Sequence, residues 1–364
     1  MSVGYPSRGN GGVYSKLSSS IGLHPFSCSL SNRAIIPMEK VRSSSTSRST
    51  HISPWLMFSR DHSRTTFNFI NPMHENENYL MNHSDLVGAT VRFQKGGWLL
   101  MSVPSQETLS FFYNPFTREA IKLPELPFDY SFSGISFSSL PTSLDCVVFS
   151  IEAKGGDEVA VCFIRKGEAF WSEYVFPNTD RDKYFPLLNT PVFCKGVFYC
   201  LDYNGTLGVF NIEDNSWKVL EKPHPQFSAV YPNFLVECGG ELLSVKLGRH
   251  ETLFGVFKLD FSKMDWVRVE NLGKYMLFIS YISCFSAIAP NSRMSNRIYF
   301  PRLCLNGDGV LVYSLETGNY QSSGEQHSAI NFYDTEGWFS NCTYIEPNWL
   351  KSKPQELDWV QPPS

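Results

Sequence analysis

The sequence predicts an all-β fold: a six-bladed β-propeller of kelch-like, four-stranded blades, closed by the C-terminal strand and preceded by a disordered leader. Three observations carry this prediction. A pattern of about 50 residues occurs twice in succession between Thr190 and Val269, which is the period of a four-stranded propeller blade. Short runs rich in Val, Ile, Leu and Phe alternate with Gly, Asn, Asp and Ser turn chemistry, the signature of strands and hairpins. Finally, Trp171, Trp217 and Trp266 head fourth strands at intervals of 46 and 49 residues.

The two adjacent copies provide the template. The first places strands over 191–194, 197–201, 207–212 and 217–220, and the second over 234–238, 241–245, 253–259 and 266–269. Between each first and second strand stands a tight turn, Lys195-Gly196 or Gly239-Gly240, because a two-residue hairpin demands positive φ.

Residues 1–53 read as a Ser-rich leader. The first 50 residues hold fourteen serines and six Lys or Arg against one acid, Glu39, with little apolar periodicity. Such a stretch does not pack on its own, and its composition fits a mitochondrial or plastid transit peptide as well as a plain disordered leader. The propeller is assigned to 54–346. Strands over 55–58, 65–70 and 79–81 make three quarters of a blade, and a full set follows at 89–93, 98–103, 109–113 and 119–123. The third strands of both sets end in Asn-Pro, at Asn71 and Asn114. Another set spans 134–137, 145–151, 158–164 and 170–176; the last is read over 284–289, 297–300, 309–315 and 320–322, with Tyr320 where Trp stood before. The count is five blades and one lacking its first strand. A ring with unmet ends leaves open sheet edges, so the strand over 338–345 is expected to complete the blade begun at Trp55. Residues 347–364, with Pro354, Pro362 and Pro363, are expected to form a flexible tail.

Composition narrows the function. Charged residues are only 18% and aromatics 15%, against roughly 25% charged in typical globular chains, as suits sheets packed on aromatic rings. A net charge of -4 gives no basic field for nucleic acid. The longest apolar run, 276–290, is broken by Ser280, Ser283 and Ser286 and ends in Pro290, so no membrane span is expected. Nine scattered cysteines without a C-x-x-C pair read as buried thiols of a reducing compartment. The sequons at Asn82, Asn204 and Asn341 follow no secretory signal, so the protein is expected to be intracellular: in a mitochondrion or plastid if the leader is a transit peptide, otherwise in the cytoplasm or nucleus.

The chain resembles the plant KIB-type β-propeller family, whose domain usually follows an F-box. The resemblance rests on Pro54-Trp-Leu-Met-Phe, Gly96-Gly-Trp-Leu-Leu, Phe112-Tyr-Asn-Pro-Phe-Thr with Ile121-Lys-Leu-Pro, Lys195-Gly-Val-Phe-Tyr and Gly337-Trp-Phe, and covers about 54–346. It implies a propeller that recognises a protein target while an F-box recruits a ubiquitin ligase through a Skp-type adaptor. Residues 1–50 lack the periodic Leu and Ile of such a helical segment, so a Skp-type adaptor is expected only if an F-box lies upstream.

Catalytic and metal motifs are absent from the sequence. The histidines form no ligand-spaced pair, no nucleophile elbow or phosphate loop occurs, and Asn306-Gly-Asp-Gly reads as a hairpin turn lacking the later acids of a calcium loop. No cofactor, metal or catalytic residue is therefore assigned, and the chain is read as a non-enzyme. Channel-lining carboxylates of a propeller hydrolase would come from separate blades and leave no sequence signature. The remaining function is recognition of a protein partner by loops 178–185, 221–224 and 248–251, with Arg181, Lys183, Tyr184, Arg249 and His250 as the contact residues, several of them types common at interface hot spots.

Overall fold

In the computed structural model the described residues are 36–37, 53–59, 65–74, 76–103, 109–126, 134–154, 157–178, 184, 190–202, 205–220, 232–248, 253–303, 310–322, 325–327 and 342–360. They build six sheets arranged as a ring of blades.

Blade 1 begins with β1 (Ile36–Pro37), β2 (Trp55–Ser59), β3 (Thr66–Asn71) and β4 (Glu77–Asn82). Blade 2 comprises β5 (Thr90–Lys95), β6 (Trp98–Val103), β7 (Leu109–Asn114) and β8 (Glu119–Lys122). Blade 3 comprises β9 (Gly134–Phe137), β10 (Val147–Lys154), β11 (Glu158–Arg165) and β12 (Ser172–Pro177). Blade 4 holds β13 (Val192–Cys194), β14 (Val197–Leu201), β15 (Leu207–Asn211) and β16 (Ser216–Val219), and blade 5 holds β17 (Asn233–Cys238), β18 (Glu241–Leu247), β19 (Leu253–Asp260) and β20 (Asp265–Val269). Blade 6 contains β21 (Tyr275–Phe278), β22 (Phe285–Ile288), β23 (Arg297–Leu303), β24 (Val310–Ser314), β25 (Asn319–Ser322) and β26 (Glu325–His327). The final strand, β27 (Thr343–Ile345), returns to blade 1 and pairs antiparallel with β2, Trp55 opposite Ile345 and Met57 opposite Thr343. The expected composite blade is therefore formed; residues 338–341 of its anticipated strand lie outside the described residues.

Six of the seven apolar clusters among the described residues span the six blade-to-blade interfaces, the seventh being Leu126, Ala160 and Cys162. Met57, Phe69, Leu99 and Met101 join blades 1 and 2, and Phe112, Phe137 and Val148 join blades 2 and 3. Phe149, Phe163, Phe198 and Phe210 join blades 3 and 4, and Leu201, Leu235 and Trp266 join blades 4 and 5. Val245, Leu277 and Phe300 join blades 5 and 6, while Leu56, Phe278, Tyr299 and Tyr344 complete the circle to blade 1. Both faces of each sheet meet a neighbour, so central strands such as β6 and β11 are buried along nearly their whole length rather than alternating between core and water.

The aromatic heading each fourth strand leans on the preceding blade. Trp171 donates its indole N–H to the Pro124 carbonyl at 2.9 Å. Trp217 packs on Phe176, and the Tyr320 hydroxyl accepts from the Leu253 amide at 2.6 Å. A Cβ at Gly208 would come within 2.0 Å of the Trp217 ring, so glycine there is a packing requirement.

Blade 6 departs from expectation. The strand read over 284–289 is not next to β23; β21 occupies that position, running parallel with Leu277 opposite Ile298, and β22 pairs on its other side. The physical reason is burial: Met276, Leu277, Phe278 and Ile279 are all buried, which suits a strand held between blades 5 and 1, whereas β22 is half-buried with Ile288 exposed. The serines that interrupt this run cap its turn. Ser280 Oγ accepts from Ser283 N at 3.0 Å, and Ser283 Oγ meets Thr343 Oγ1 of β27 at 2.8 Å, so the polar breaks bind the closing strand.

Two further corrections concern the ends. Within the leader, Ile36 and Pro37 pair in parallel with Tyr79 and Leu80 at the outer edge of blade 1. The expected flexible tail is docked over residues 347–360. Asn348 Nδ2 donates to Gly96 O at 3.1 Å and its carbonyl accepts from Asn114 Nδ2 at 3.1 Å. Trp349 packs edge-on against Phe116, with ring centroids 4.9 Å apart. Farther on, Gly167 N donates to Trp359 O at 2.9 Å, and the Trp359 ring, 2% exposed, stacks on Phe112. Burying the Trp359 ring contributes roughly 2 kcal/mol or more, and with the half-buried Trp349 and these hydrogen bonds it holds the segment against blades 2 and 3. Prolines at 354, 362 and 363 gave no sign of those contacts, and Pro354 instead opens a short 3-10 turn, Pro354–Glu356.

Candidate functional site

Propeller topology sorts the connections onto two faces. The turns joining first to second and third to fourth strands gather on one face, and the second-to-third and blade-to-blade loops on the other. The described residues define the first face well.

Its inner ring carries two-residue hairpins in blades 2, 4 and 5, while residues 138–146 make the longer connection in blade 3. Gly96 and Gly97 both have positive φ, at 57° and 84°, as do Lys195 and Gly196, at 50° and 85°, matching the turn that suits twisted strands. The outer ring consists of third-to-fourth-strand turns that share one device. Asn114 Oδ1 accepts from Phe116 N and Thr117 N at 2.9 and 3.3 Å, Asn211 Oδ1 from Glu213 N at 3.0 Å and Asp260 Oδ1 from Ser262 N at 2.9 Å. Asn71 does the same for Met73 N at 3.1 Å, and Ser314 Oγ accepts from Thr317 N at 3.3 Å. Four residues beyond Asn114, Asn211 and Asp260 stands a left-handed residue: Arg118, Asn215 and Met264. These side chains replace backbone partners, so the turns satisfy themselves. The Asn-Pro pairs of blades 1 and 2 hinted at this device; its recurrence in blades 4 and 5 went unread because the residue after the Asx is Ile or Phe there.

Charge collects at the inner ring. Lys95 Nζ donates to the Ser138 backbone carbonyl at 2.5 Å and lies 6.0 Å from the Phe193 ring centroid, so groups next to blades 2, 3 and 4 converge. Burial lowers its pKa below the usual lysine range, opposed by the charges of Glu237 and Glu346, among others. Glu346, the residue after β27, is pushed up by burial, offset by Lys95 and the Gly96 amide. Glu237 Oε1 also accepts from Gly240 N at 2.7 Å. The charges of Lys95, Glu237 and Glu346 thus act on one another near the inner ends of blades 2 and 5 and the closing segment. Their polar atoms bond to turns of the chain itself, the pattern of an architectural network.

The five expected contact residues separate. Tyr184 is buried, 1% exposed, among Phe149, Phe163 and Phe210. Its amide donates to Asn178 Oδ1 and its carbonyl accepts from Asn178 Nδ2, both at 2.8 Å, and its ring meets Trp217 edge-on at 5.2 Å. Burial, with Cys200 and Asp202 nearby, raises its pKa well above the ordinary tyrosine value. Tyr184 is therefore an anchor for the loop between blades 3 and 4 and presents no ring to a partner; an aromatic beside charges reads as a hot spot until the cavity between blades is seen. Arg181, Lys183, Arg249 and His250 lie outside the described residues.

Other reactive side chains serve the core. The seven described cysteines are free, and burial lifts the thiols of Cys146, Cys162 and Cys284 to about 12 and that of Cys238 to about 11, leaving them un-ionised and poorly nucleophilic at neutral pH. His83, 1% exposed, pairs its Nδ1 with the Tyr113 hydroxyl at 2.8 Å. Among the described residues no group of three or more His, Cys, Asp or Glu is placed to hold a metal, and no helix is long and apolar enough to cross a membrane.

Six sheets, the apolar clusters between them and a composite closing blade define a closed β-propeller. The chain belongs to the KIB1-4 beta-propeller family, whose model matches residues 67–321. It is similar to an F-box/kelch-repeat protein of Arabidopsis thaliana, 34% identical over 279 residues that cover 74% of this chain and 76% of that protein. Two Arabidopsis F-box proteins are 28% and 30% identical, covering 87% and 84% of this chain and 78% and 77% of their own lengths. A solved structure from Bacteroides fragilis aligns at TM-score 0.38 and 11% identity over 82% of this chain and 100% of that one, a likeness that carries no functional argument.

Proposed function

We propose that this propeller is a non-catalytic protein-recognition module whose docking surface is the face of second-to-third-strand and blade-to-blade loops. One observation carries the choice of face: on the opposite side the third-to-fourth-strand turns of blades 1, 2, 4, 5 and 6 are short and satisfied by their own Asx or Ser side chains, and the C-terminal segment is strapped across blades 2 and 3. Arg181, Lys183, Arg249 and His250 are proposed as contact residues of the docking face, because in sequence 178–190 lies between blades 3 and 4 and 248–252 between β18 and β19. The test is affinity capture with the full-length chain against a variant with all four changed to Ala. Loss of the same specific partners, with thermal unfolding unchanged, is the expected outcome; undiminished capture sinks the assignment.

A second reading is favoured by the relatives, which bear F-box names: the propeller serves as the substrate receptor of an SCF-type ubiquitin ligase. Mixing the purified full-length chain with a Skp-type adaptor discriminates the two, since a stable complex establishes the ligase reading and its absence supports the adaptor-free one. Address is tested separately. Residues 1–50 fused to a fluorescent reporter should direct it to mitochondria or plastids if the leader is a transit peptide, and a diffuse signal refutes that address.

A further inference from the structure

We propose that residues 346–360 are a latch that holds the ring shut, a conformational device separate from target recognition. Three features of the closing segment require one another. The closing strand β27 is three residues long and contributes three pairs to β2, short against the five or six residues typical of strands. Directly after it, the chain crosses from the channel to the outer turns of blades 2 and 3. Asn348 engages Gly96 and Asn114, Lys351 Nζ donates to Thr117 O at 3.4 Å, Ser352 N donates to Glu119 Oε1 at 3.1 Å, and Lys166 Nζ donates to Glu356 O at 3.0 Å. Trp359 is the terminal bolt, stacked on Phe112 with Lys166 Nζ 5.3 Å from its ring centroid.

Blade 2 is shaped to receive this segment. A Cβ at Gly97 would stand 2.4 Å from Asn348 Cβ and 2.8 Å from the Glu346 carbonyl, so the inner hairpin approaches the latch too closely for any side chain. Because β27 and the latch are one continuous segment, undocking Trp359 and Asn348 removes the tether that keeps β27 at the edge of β2. The ring then opens at blade 1 while the other five blades, each made of consecutive strands, stay paired.

The test is hydrogen exchange on the full-length chain carrying Trp359→Ala or, separately, Asn348→Ala. The expected result is at least about tenfold faster amide exchange at 343–345 and 55–57, with 233–247 of blade 5 unchanged, as for a local opening unit. Faster exchange confined to 347–360 overturns the latch, because the tail then frays without consequence. Equal acceleration in blade 5 also overturns it, since that reports global loss of stability. Should both variants fail to fold, Lys351→Ala, which removes the contact to Thr117 O alone, gives the same comparison at smaller amplitude.

Discussion

Blade 1 and blade 5 have similar sheets and opposite histories. Blade 5 is one uninterrupted run from Asn233 to Val269, in which β17–β18, β18–β19 and β19–β20 are consecutive antiparallel pairs. Blade 1 pairs Trp55 with Ile345, 290 residues apart in sequence. By loop-closure entropy alone such a contact costs roughly 3 kcal/mol more than closing a loop of about ten residues. A three-residue strand does not offset that through its backbone; side chains must. Tyr344 is the main one: fully buried, it stacks edge-on with Phe278 and donates its hydroxyl to Phe300 O at 2.7 Å. Closure therefore rests on a few dense contacts, whereas blade 5 rests on many local ones.

The largest effect should come from Tyr344→Ala. Removing a fully buried ring costs about 3–5 kcal/mol, enough to cancel the advantage of closure, and the melting temperature should fall by roughly 10 °C. Val236→Ala in blade 5 is the control. It costs about 1–3 kcal/mol and should leave exchange at 343–345 unchanged. If Tyr344→Ala melts no earlier than Val236→Ala, the contrast between the blades is wrong.

Next in size is a comparison of one turn device in two places. Asn114 is buried, accepts two backbone amides and also donates to the latch, while Asn211 accepts a single amide in a half-buried turn. Asn114→Ala should cost about 2–3 kcal/mol and Asn211→Ala about 1 kcal/mol by chemical denaturation. Equal costs would show that the latch adds nothing to blade 2.

A smaller change of opposite sign is expected inside blade 5. Lys246, 2% exposed, lies with its Nζ 4.4 Å from the Phe257 centroid, and burial lowers its pKa to about 8, opposed by Asp265. Below about pH 8 both folded and unfolded chains hold the proton, and the fold bears the cost of a buried cation. Between about pH 8 and the ordinary lysine range the unfolded chain keeps a proton that the fold has released, so stability rises with pH. Lys246→Met should stabilise the protein at pH 7 by roughly 1–2 kcal/mol and flatten that rise; stability curves at pH 7 and pH 9 decide it. The smallest effect is that of Tyr344→Phe, which removes one hydrogen bond to the Phe300 carbonyl for about 1 kcal/mol and should shift the melting point without loosening blade 5.

Much of the ring could be read directly from local patterns. Glycines at 96, 97, 196, 239 and 240 marked hairpins, and Trp171, Trp217, Trp266 and Tyr320 marked fourth strands, because turn chemistry and strand composition are properties of neighbouring residues. The return of Thr343–Ile345 to Trp55 was inferred from the intolerance of sheets for open edges. The candidate site was far less legible. Tyr184 looked like a contact residue because nothing near it in sequence announces the cavity lined by Phe149, Phe163 and Trp217. The run 276–290 was assigned to the wrong strand because two apolar segments compete there, and only burial against both blade 5 and blade 1 selects Tyr275–Phe278.

By itself, then, the amino-acid sequence determined most strand positions, blade number and the need for closure, since each depends on periodicities and turns spanning a few residues. Tertiary structure alone decided that the C-terminal segment is a docked strap, that Tyr184 is an anchor and that blade 6 carries a parallel inner pair. Those outcomes depend on contacts such as Phe112 with Trp359 and Phe278 with Tyr344, between residues too distant in sequence for any local pattern to encode.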